Sequence, residues 1–108
     1  MCVVKLAEIQ KFVADVAREF MPDKVILFGS YATGGASAES DIDLLVIMPQ
    51  DVSGFRVAAD IIRRLKPTLT VELVVRSSRQ IRERQALNDF FLREIMTTGK
   101  ELYAAPHP

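Results

Sequence analysis

The sequence contains few cysteines and histidines, the residue types that most often bind metals or act in catalysis. Its 108 residues include one cysteine, Cys2, one histidine, His107, and no tryptophan. A single cysteine cannot form an internal disulfide, and a single histidine near the chain end cannot build a Cys/His zinc site or a buried Ser/His/Asp triad. Any chemistry of this chain therefore depends on carboxylates, hydroxyls and backbone groups.

Long hydrophobic runs are also missing. The longest uncharged stretch near the middle, residues 25–38, has 14 residues and is interrupted by three glycines, so it is too short for a transmembrane helix. The first charged side chain is Lys5, so the uncharged segment before it is too short for the apolar region of a secretory signal. We therefore expect a cytoplasmic location without a membrane partner.

The formal net charge is zero, from 14 basic and 14 acidic residues. A protein that coats DNA or RNA presents a cationic field, so long nucleic acid is not an expected partner. The charges are nevertheless separated along the chain. Residues 1–54 hold four basic and eight acidic groups, and residues 55–108 hold ten and six. This distribution leaves room for one small anionic substrate and one protein partner.

Composition and periodicity predict one small folded domain over residues 1–108, since 49% of the residues are hydrophobic and 26% are charged. Helical periodicity is found in three segments, the third with a possible break near Asn88: 4–20, 53–66 and 77–98. Apolar, β-branched runs predict three strands: 24–28, 42–48 and 70–75. We expect a helical turn at 30–32 and a frayed tail from Glu101. The order of elements predicts a two- or three-layer α/β domain around a small sheet.

Two aspartates begin the second predicted strand. Asp41 and Asp43 are two residues apart, so the alternation of side chains along a strand places both carboxylates on one face, with about 6 to 7 Å between their Cα atoms. The two carboxylates repel each other, and their burial is unfavourable unless a cation compensates their charge. Oxygen ligands favour Mg²⁺ or Mn²⁺ over zinc, and Mg²⁺ usually combines carboxylates with substrate phosphates. The pair predicts a metal that binds a nucleotide; capping of the preceding loop is the simpler alternative.

Gly29 and Ser30 follow the first predicted strand, with ten residues between Ser30 and Asp41. A glycine allows a phosphate to approach the backbone closely, and the Ser30 hydroxyl and nearby N–H groups can donate to its oxygens. A simple strand-ending turn would use the same two residues.

Glu72 is a charged residue inside the third apolar run, where an unpaired charge is costly. If that strand pairs with the strand of Asp41 and Asp43, three carboxylates converge. Three carboxylates can hold two metals for in-line transfer at phosphorus, with Glu72 activating the nucleophile. Exposure to solvent on an edge strand is the alternative interpretation.

The pattern Gly-Ser, ten residues, Asp-x-Asp resembles the signature of the DNA polymerase β nucleotidyltransferase superfamily, in particular its minimal nucleotidyltransferase (MNT) group. The similarity extends over essentially the whole chain, including the leading helix and residues 99–103. It implies the nucleotidyltransferase fold, an α/β (α+β) fold with a small mixed sheet of about three to four strands flanked by helices. It also implies nucleotidyl transfer from ATP with Mg²⁺. The residues implied are Gly29 and Ser30 on the triphosphate, Asp41 and Asp43 on metal, and Glu72 as the third carboxylate, which also binds metal.

Minimal members of this group often pair with a HEPN-domain protein and act as antitoxins, transferring AMP from ATP to a tyrosine of the HEPN ribonuclease toxin. The resemblance therefore implies a HEPN partner.

Two residues depart from the pattern: Thr33 stands where the family usually has Arg or Lys, and Glu72 where it more often has Asp. A weak or inactive nucleotide-binding fold that neutralises a partner by binding is the alternative. An aminoglycoside nucleotidyltransferase is less favoured, because 108 residues leave no room for a helical domain around an antibiotic pocket.

The remaining candidates have plainer interpretations. The arginines of residues 76–84 are typical of a solvated helix face, with contact to phosphate or an acidic partner as the alternative. Phe90 and Phe91, together with Leu87, are interpreted as core or as a contact with a partner or a second copy, so a homodimer stays open. Tyr31 is interpreted as structural.

Overall fold

The computed structural model describes residues 4–106, so Cys2 and His107 lie outside the described residues. Within this range the elements are α1 (Leu6–Phe20), β1 (Lys24–Phe28), α2 (Ser30–Thr33), β2 (Ile42–Met48), α3 (Gly54–Leu65), β3 (Val71–Ser77), α4 (Ser78–Ala86), α5 (Phe90–Thr98) and β4 (Lys100–Ala104). None of the helices in residues 4–106 has the length and apolar character needed to cross a bilayer.

The four strands form one mixed sheet in the order β3-β2-β1-β4. β1 is antiparallel to both β2 and β4, whereas β2 and β3 are parallel. A parallel pair needs a long crossover connection, which α3 supplies. The predicted fold class, a small mixed sheet with helices around it, is confirmed.

The sheet separates two hydrophobic cores, because successive side chains of a strand point to opposite faces. On the first face, β2 contributes Ile42, Leu44 and Val46, which pack with residues of α1 and α3. On the second face, Leu45 and Ile47 pack with residues of α4 and α5. The uninterrupted apolar run after Asp43 reflects this central position, covered on both sides.

The break between the last two helices is confirmed near Asn88. This residue has a φ of 58°, a left-handed conformation that asparagine tolerates better than most residues. Asp89 then caps α5, accepting a hydrogen bond from the Leu92 backbone N–H at 2.9 Å. The start of α4 is fixed by a reciprocal capping box between Ser77 and Gln80. α4 and α5 are thus two separate helices on the second face of the sheet.

The expectation of a frayed tail was wrong for residues 101–104. These residues belong to β4, which pairs with β1 and is joined to it by an ion pair between Lys24 and Glu101 at 3.4 Å. Leu102 and Tyr103 pack against the first core, so the segment gains both ladder hydrogen bonds and apolar burial. The third strand also differs slightly, because it runs over Val71–Ser77 and not over residues 70–75.

Candidate active site

Asp43 lies in the middle of a row of three side chains that crosses the sheet. In the strand registers its partners are Phe28 on β1 and Glu72 on β3. Directly opposed residues of neighbouring strands point to the same face, so the three side chains share one surface. This is the face on which α4 and α5 pack. The pairing of β3 with β2 that the Glu72 interpretation required is therefore present.

Asp41 precedes β2 by one residue and is exposed. It is two positions from Asp43, so an extended backbone directs both carboxylates to the same side. Burial raises the pKa of the Asp43 carboxyl group, and the charges of Glu72 and Asp41 raise it further. These effects disfavour the ionised form of Asp43. A bound cation would oppose them, and the donors are the hard oxygens that Mg²⁺ prefers.

The carboxylates form an open row and not a closed metal cage. Glu72 is exposed on the edge strand β3, as its plainer interpretation predicted. Within residues 4–106, no three His, Cys, Asp or Glu side chains are gathered closely enough to hold a metal by themselves. An open arrangement fits a magnesium site in which phosphate oxygens and water complete the coordination. The residues present therefore fit Mg²⁺ together with a phosphate-bearing substrate.

Gly29 brings the other half of the sequence motif against Asp43. It follows β1 directly, with φ 74° and ψ −154°, and a Cβ atom at this position would collide with Oδ2 of Asp43. α2 begins at Ser30, and the first N–H groups of a helix have no partner within it. Those N–H groups and the Ser30 hydroxyl are therefore potential donors beside the carboxylates. The antiparallel pairing of Phe28 with Asp43 across β1 and β2 creates this proximity.

A cleft of about 360 Å³ opens beside Gly29. One wall includes Phe28 and Thr33, and the other is formed by α5 residues: Phe91, Glu94, Ile95 and Thr98. The rings of Phe28 and Phe91 meet edge to face, with centroids 5.7 Å apart. The cleft is large enough for a small ligand. Sequence reasoning did not identify Glu94 or Thr98 as lining residues, because an exposed helix carries no local signal of what it faces across the fold.

Other candidates lie away from this cleft. Tyr31 is structural as predicted, since its hydroxyl accepts a hydrogen bond from the Val4 N–H at 3.2 Å. The α4 arginines are exposed and largely paired nearby: Arg79 with Asp51 at 3.1 Å and Arg84 with Asp89 at 3.5 Å. A further hollow of about 340 Å³ involves α1 and residues 65–69 and contains none of the predicted site residues.

Comparison with known proteins identifies the class. The nucleotidyltransferase domain family model matches residues 9–98. MJ0604 of Methanocaldococcus jannaschii, whose name assigns it to the protein adenylyltransferases, is 34% identical over 82 residues, which are 74% of this chain and 77% of that protein. The chain belongs to the nucleotidyltransferase domain family, and it is a nucleotidyltransferase.

Two solved structures share the fold. A crystal structure of a toxin-antitoxin with AMP-PNP has a TM-score of 0.60 at 23% identity, over 89% of this chain and 73% of that chain. A complex of tri-AMPylated Shewanella oneidensis HEPN toxin with MNT antitoxin has a TM-score of 0.51 at 20% identity, over 89% and 70%. Both structures resemble this chain at the level of the fold, and the predicted resemblance to nucleotidyltransferases is confirmed by the family model.

Proposed function

We propose that the chain is an ATP- and Mg²⁺-dependent adenylyltransferase that transfers AMP to a tyrosine hydroxyl of a HEPN-domain partner. The observation that carries the proposal is the close approach of Gly29 to Asp43. Asp43 in turn faces Glu72 on the neighbouring strand. Phosphate donors and acidic ligands are thus adjacent, although ten residues separate them in sequence. The name of MJ0604 and the AMPylated HEPN toxin in the MNT complex support the choice of acceptor.

The proposed residues bind the metal, accept a proton and bind the phosphates. Asp41 and Asp43 would hold Mg²⁺, with Glu72 at the third ligand position; when bound, the metal neutralises charge on the phosphates and stabilises the transition state. Glu72 receives the proton of the acceptor hydroxyl, and the hydroxyl oxygen forms a bond to the α-phosphorus. The bond between this phosphorus and the pyrophosphate oxygen breaks. Backbone N–H groups at Ser30 and its hydroxyl donate to the departing pyrophosphate.

The transfer reaction tests the proposal directly. The chain is incubated with ATP labelled at the α-phosphate, Mg²⁺ and a HEPN-domain protein from the same organism, and label on the protein is measured. We expect labelling by the natural chain and none by the double variant Asp41→Ala, Asp43→Ala. A matched control removes two carboxylates elsewhere, by Asp51→Ala and Asp60→Ala, and keeps its activity. Labelling that survives the loss of Asp41 and Asp43 would contradict the catalytic assignment.

A second candidate function, neutralisation of the partner by binding alone, is motivated by Thr33. Thr33 lines the cleft at the position where the family usually has Arg or Lys, and its hydroxyl donates to the Gly29 carbonyl at 3.3 Å. The cleft therefore has no cation at this position. Calorimetry with Mg²⁺ and ATP separates the two functions. Absence of heat at millimolar nucleotide would favour the binding module.

Restoring a cation at residue 33 is expected to tighten nucleotide binding. Thr33→Arg places a guanidinium at the rim of the cleft, where an exposed charged contact to phosphate contributes about 1 kcal/mol, or about fivefold in the Kd for ATP. Ser37→Arg adds the same charge to the neighbouring loop and serves as the control. The Kd values are measured by calorimetry in Mg²⁺. Equal gains from both variants would show a general charge effect and not a contact in the cleft.

A further inference from the structure

A small hollow lies on the side of Phe91 away from the cleft beside Gly29. Its volume is about 170 Å³, with Leu45 and Val74 on the sheet and Arg76 and Arg84 also lining it. Leu45 and Val74 follow Asp43 and Glu72 by two residues on β2 and β3, and so face the same side. The hollow therefore begins roughly 7 Å from the carboxylate row. It is smaller than a typical small-molecule pocket and has room for one side chain of a protein.

An apolar patch of three exposed side chains lies at the junction of α4 and α5, and one of them, Phe91, lines the hollow. Leu87 is 75% exposed, Phe90 70% and Phe91 55%, which excludes their assignment to the core. Exposed apolar groups that cluster in this way mark interaction surfaces, and aromatic side chains often anchor them. Phe91 lines both the cleft beside Gly29 and the hollow. The patch is consequently continuous with the proposed active site.

The charge around the patch favours a partner other than a second copy. Among the described residues, Arg76, Arg82 and Arg93 are exposed and form no ion pair with a carboxylate. Arg76 donates to the Val75 carbonyl at 2.8 Å, and Arg93 to the Asn88 side chain at 3.0 Å. Two such surfaces would bring arginines together, whereas a surface with Asp or Glu around an apolar residue would complement them.

We propose that the hollow, together with Leu87 and Phe90, is the docking surface for the acceptor protein. The acceptor inserts one apolar or aromatic side chain into the hollow and places a carboxylate against Arg76. The inference rests on the proposed function, since it names the surface that receives its protein substrate. The hollow is on the β3 side of Asp43, and Gly29 is on the β1 side. An acceptor docked there approaches from the side opposite the pyrophosphate, as in-line displacement requires.

Binding is measured separately from transfer. The double variant Asp41→Asn, Asp43→Asn is titrated calorimetrically with a HEPN-domain protein from the same organism. Adding Leu87→Asp and Phe90→Asp is expected to weaken binding at least tenfold, and adding Arg76→Glu to weaken it and reduce its dependence on salt. Matched controls on α3, Phe55→Asp and Arg56→Glu, leave binding unchanged; Phe55 is 87% exposed and lies over the other face of the sheet.

In the active chain, Leu87→Asp with Phe90→Asp raises the KM for the acceptor and leaves the KM for ATP unchanged.

Several results would overturn the docking surface. They are the absence of HEPN binding by the parent chain, full binding after the Leu87 and Phe90 changes, and equal losses in the α3 controls. Dissociation of a homodimer by the same two changes, with acceptor binding intact, would assign the patch to a second copy and also reject the proposal. Failure of the proposed function has a different signature: the acceptor binds through this surface, yet the active chain transfers no label.

Discussion

Asp43→Asn is expected to lower nucleotidyl transfer by about a thousandfold or more, and to make the metal-free chain more resistant to heat. The loss of activity follows from removing one proposed ligand of Mg²⁺, whose charge stabilisation would contribute several kcal/mol. The gain in stability follows from removing a charge that faces Glu72 across the sheet. Like charges in this position cost about 0.5 kcal/mol, which corresponds to roughly 2–4 °C in the midpoint of thermal unfolding.

The stability gain should depend on pH. The pKa of Asp43 is raised by its burial and then by the charges of Glu72 and Asp41. A carboxyl whose pKa is higher in the folded than in the unfolded state destabilises the fold when ionised, and this penalty disappears as the pH falls through the raised pKa. The advantage of Asp43→Asn is therefore greatest near pH 7 and shrinks on acidification. Differential scanning calorimetry of both chains between pH 7 and pH 4 measures it.

Two further measurements make this prediction specific. Mg²⁺ should raise the unfolding temperature of the natural chain and have little effect on Asp43→Asn, because only the former keeps both aspartates. Asp60→Asn, a carboxylate that pairs with Arg63 at 2.6 Å on the exposed side of α3, should retain transfer and show no gain in stability. A metal-free Asp43→Asn chain less stable than the natural chain at pH 7 would contradict the repulsion argument.

Gly29→Ala is expected to destabilise the fold by about 2–4 kcal/mol and to disrupt the site at the same time. The backbone of Gly29, at φ 74° and ψ −154°, occupies a region open essentially to glycine alone, and other residues there cost about 1–3 kcal/mol. The added methyl group would also collide with Oδ2 of Asp43. Chemical denaturation and transfer assays on the same samples measure both effects.

The other loop glycines separate the two contributions. Gly34 has a φ of 91° but open space around its Cα, so Gly34→Ala tests the backbone cost alone, about 1–2 kcal/mol. Gly35 has open space and no positive φ, so Gly35→Ala should leave stability almost unchanged. Transfer should fall sharply only for Gly29→Ala. Equal losses at residues 29 and 34 would show that the contact with Asp43 is unimportant.

Much of the fold could be predicted from local patterns. The buried strand after Asp43 is a continuous apolar run because both faces of β2 are covered, and the start of α4 is marked by a capping box that needs only Ser77 and Gln80. The proximity of Gly29 to Asp43 was accessible only through a spacing shared with a known family. Nothing in the alternation of single charges could place Glu72 opposite Asp43, since strand register depends on the whole sheet.

The features that were missed depend on contacts distant in sequence. β4 is short, and its stability comes from pairing with β1, more than 70 residues earlier. The cleft wall formed by Glu94 and Thr98 exists only because α5 packs beside the end of β1. The helical repeat of Leu87 and Phe91 left both core and partner contact open, and the turn at Asn88 redirects α5 and leaves both side chains exposed.

The position of the two aspartates also implies different rates of local opening. Asp43 belongs to the central strand, whose following residues are all buried, so its backbone hydrogen bonds should exchange with solvent only when the whole domain unfolds. Asp41 lies outside that strand, at the end of the exposed loop 34–41, and can open independently. A ligand that joins both carboxylates would tie the loop to the most protected part of the molecule. Hydrogen exchange in that loop would therefore slow on ligand binding and serve as a readout of occupancy that requires no turnover.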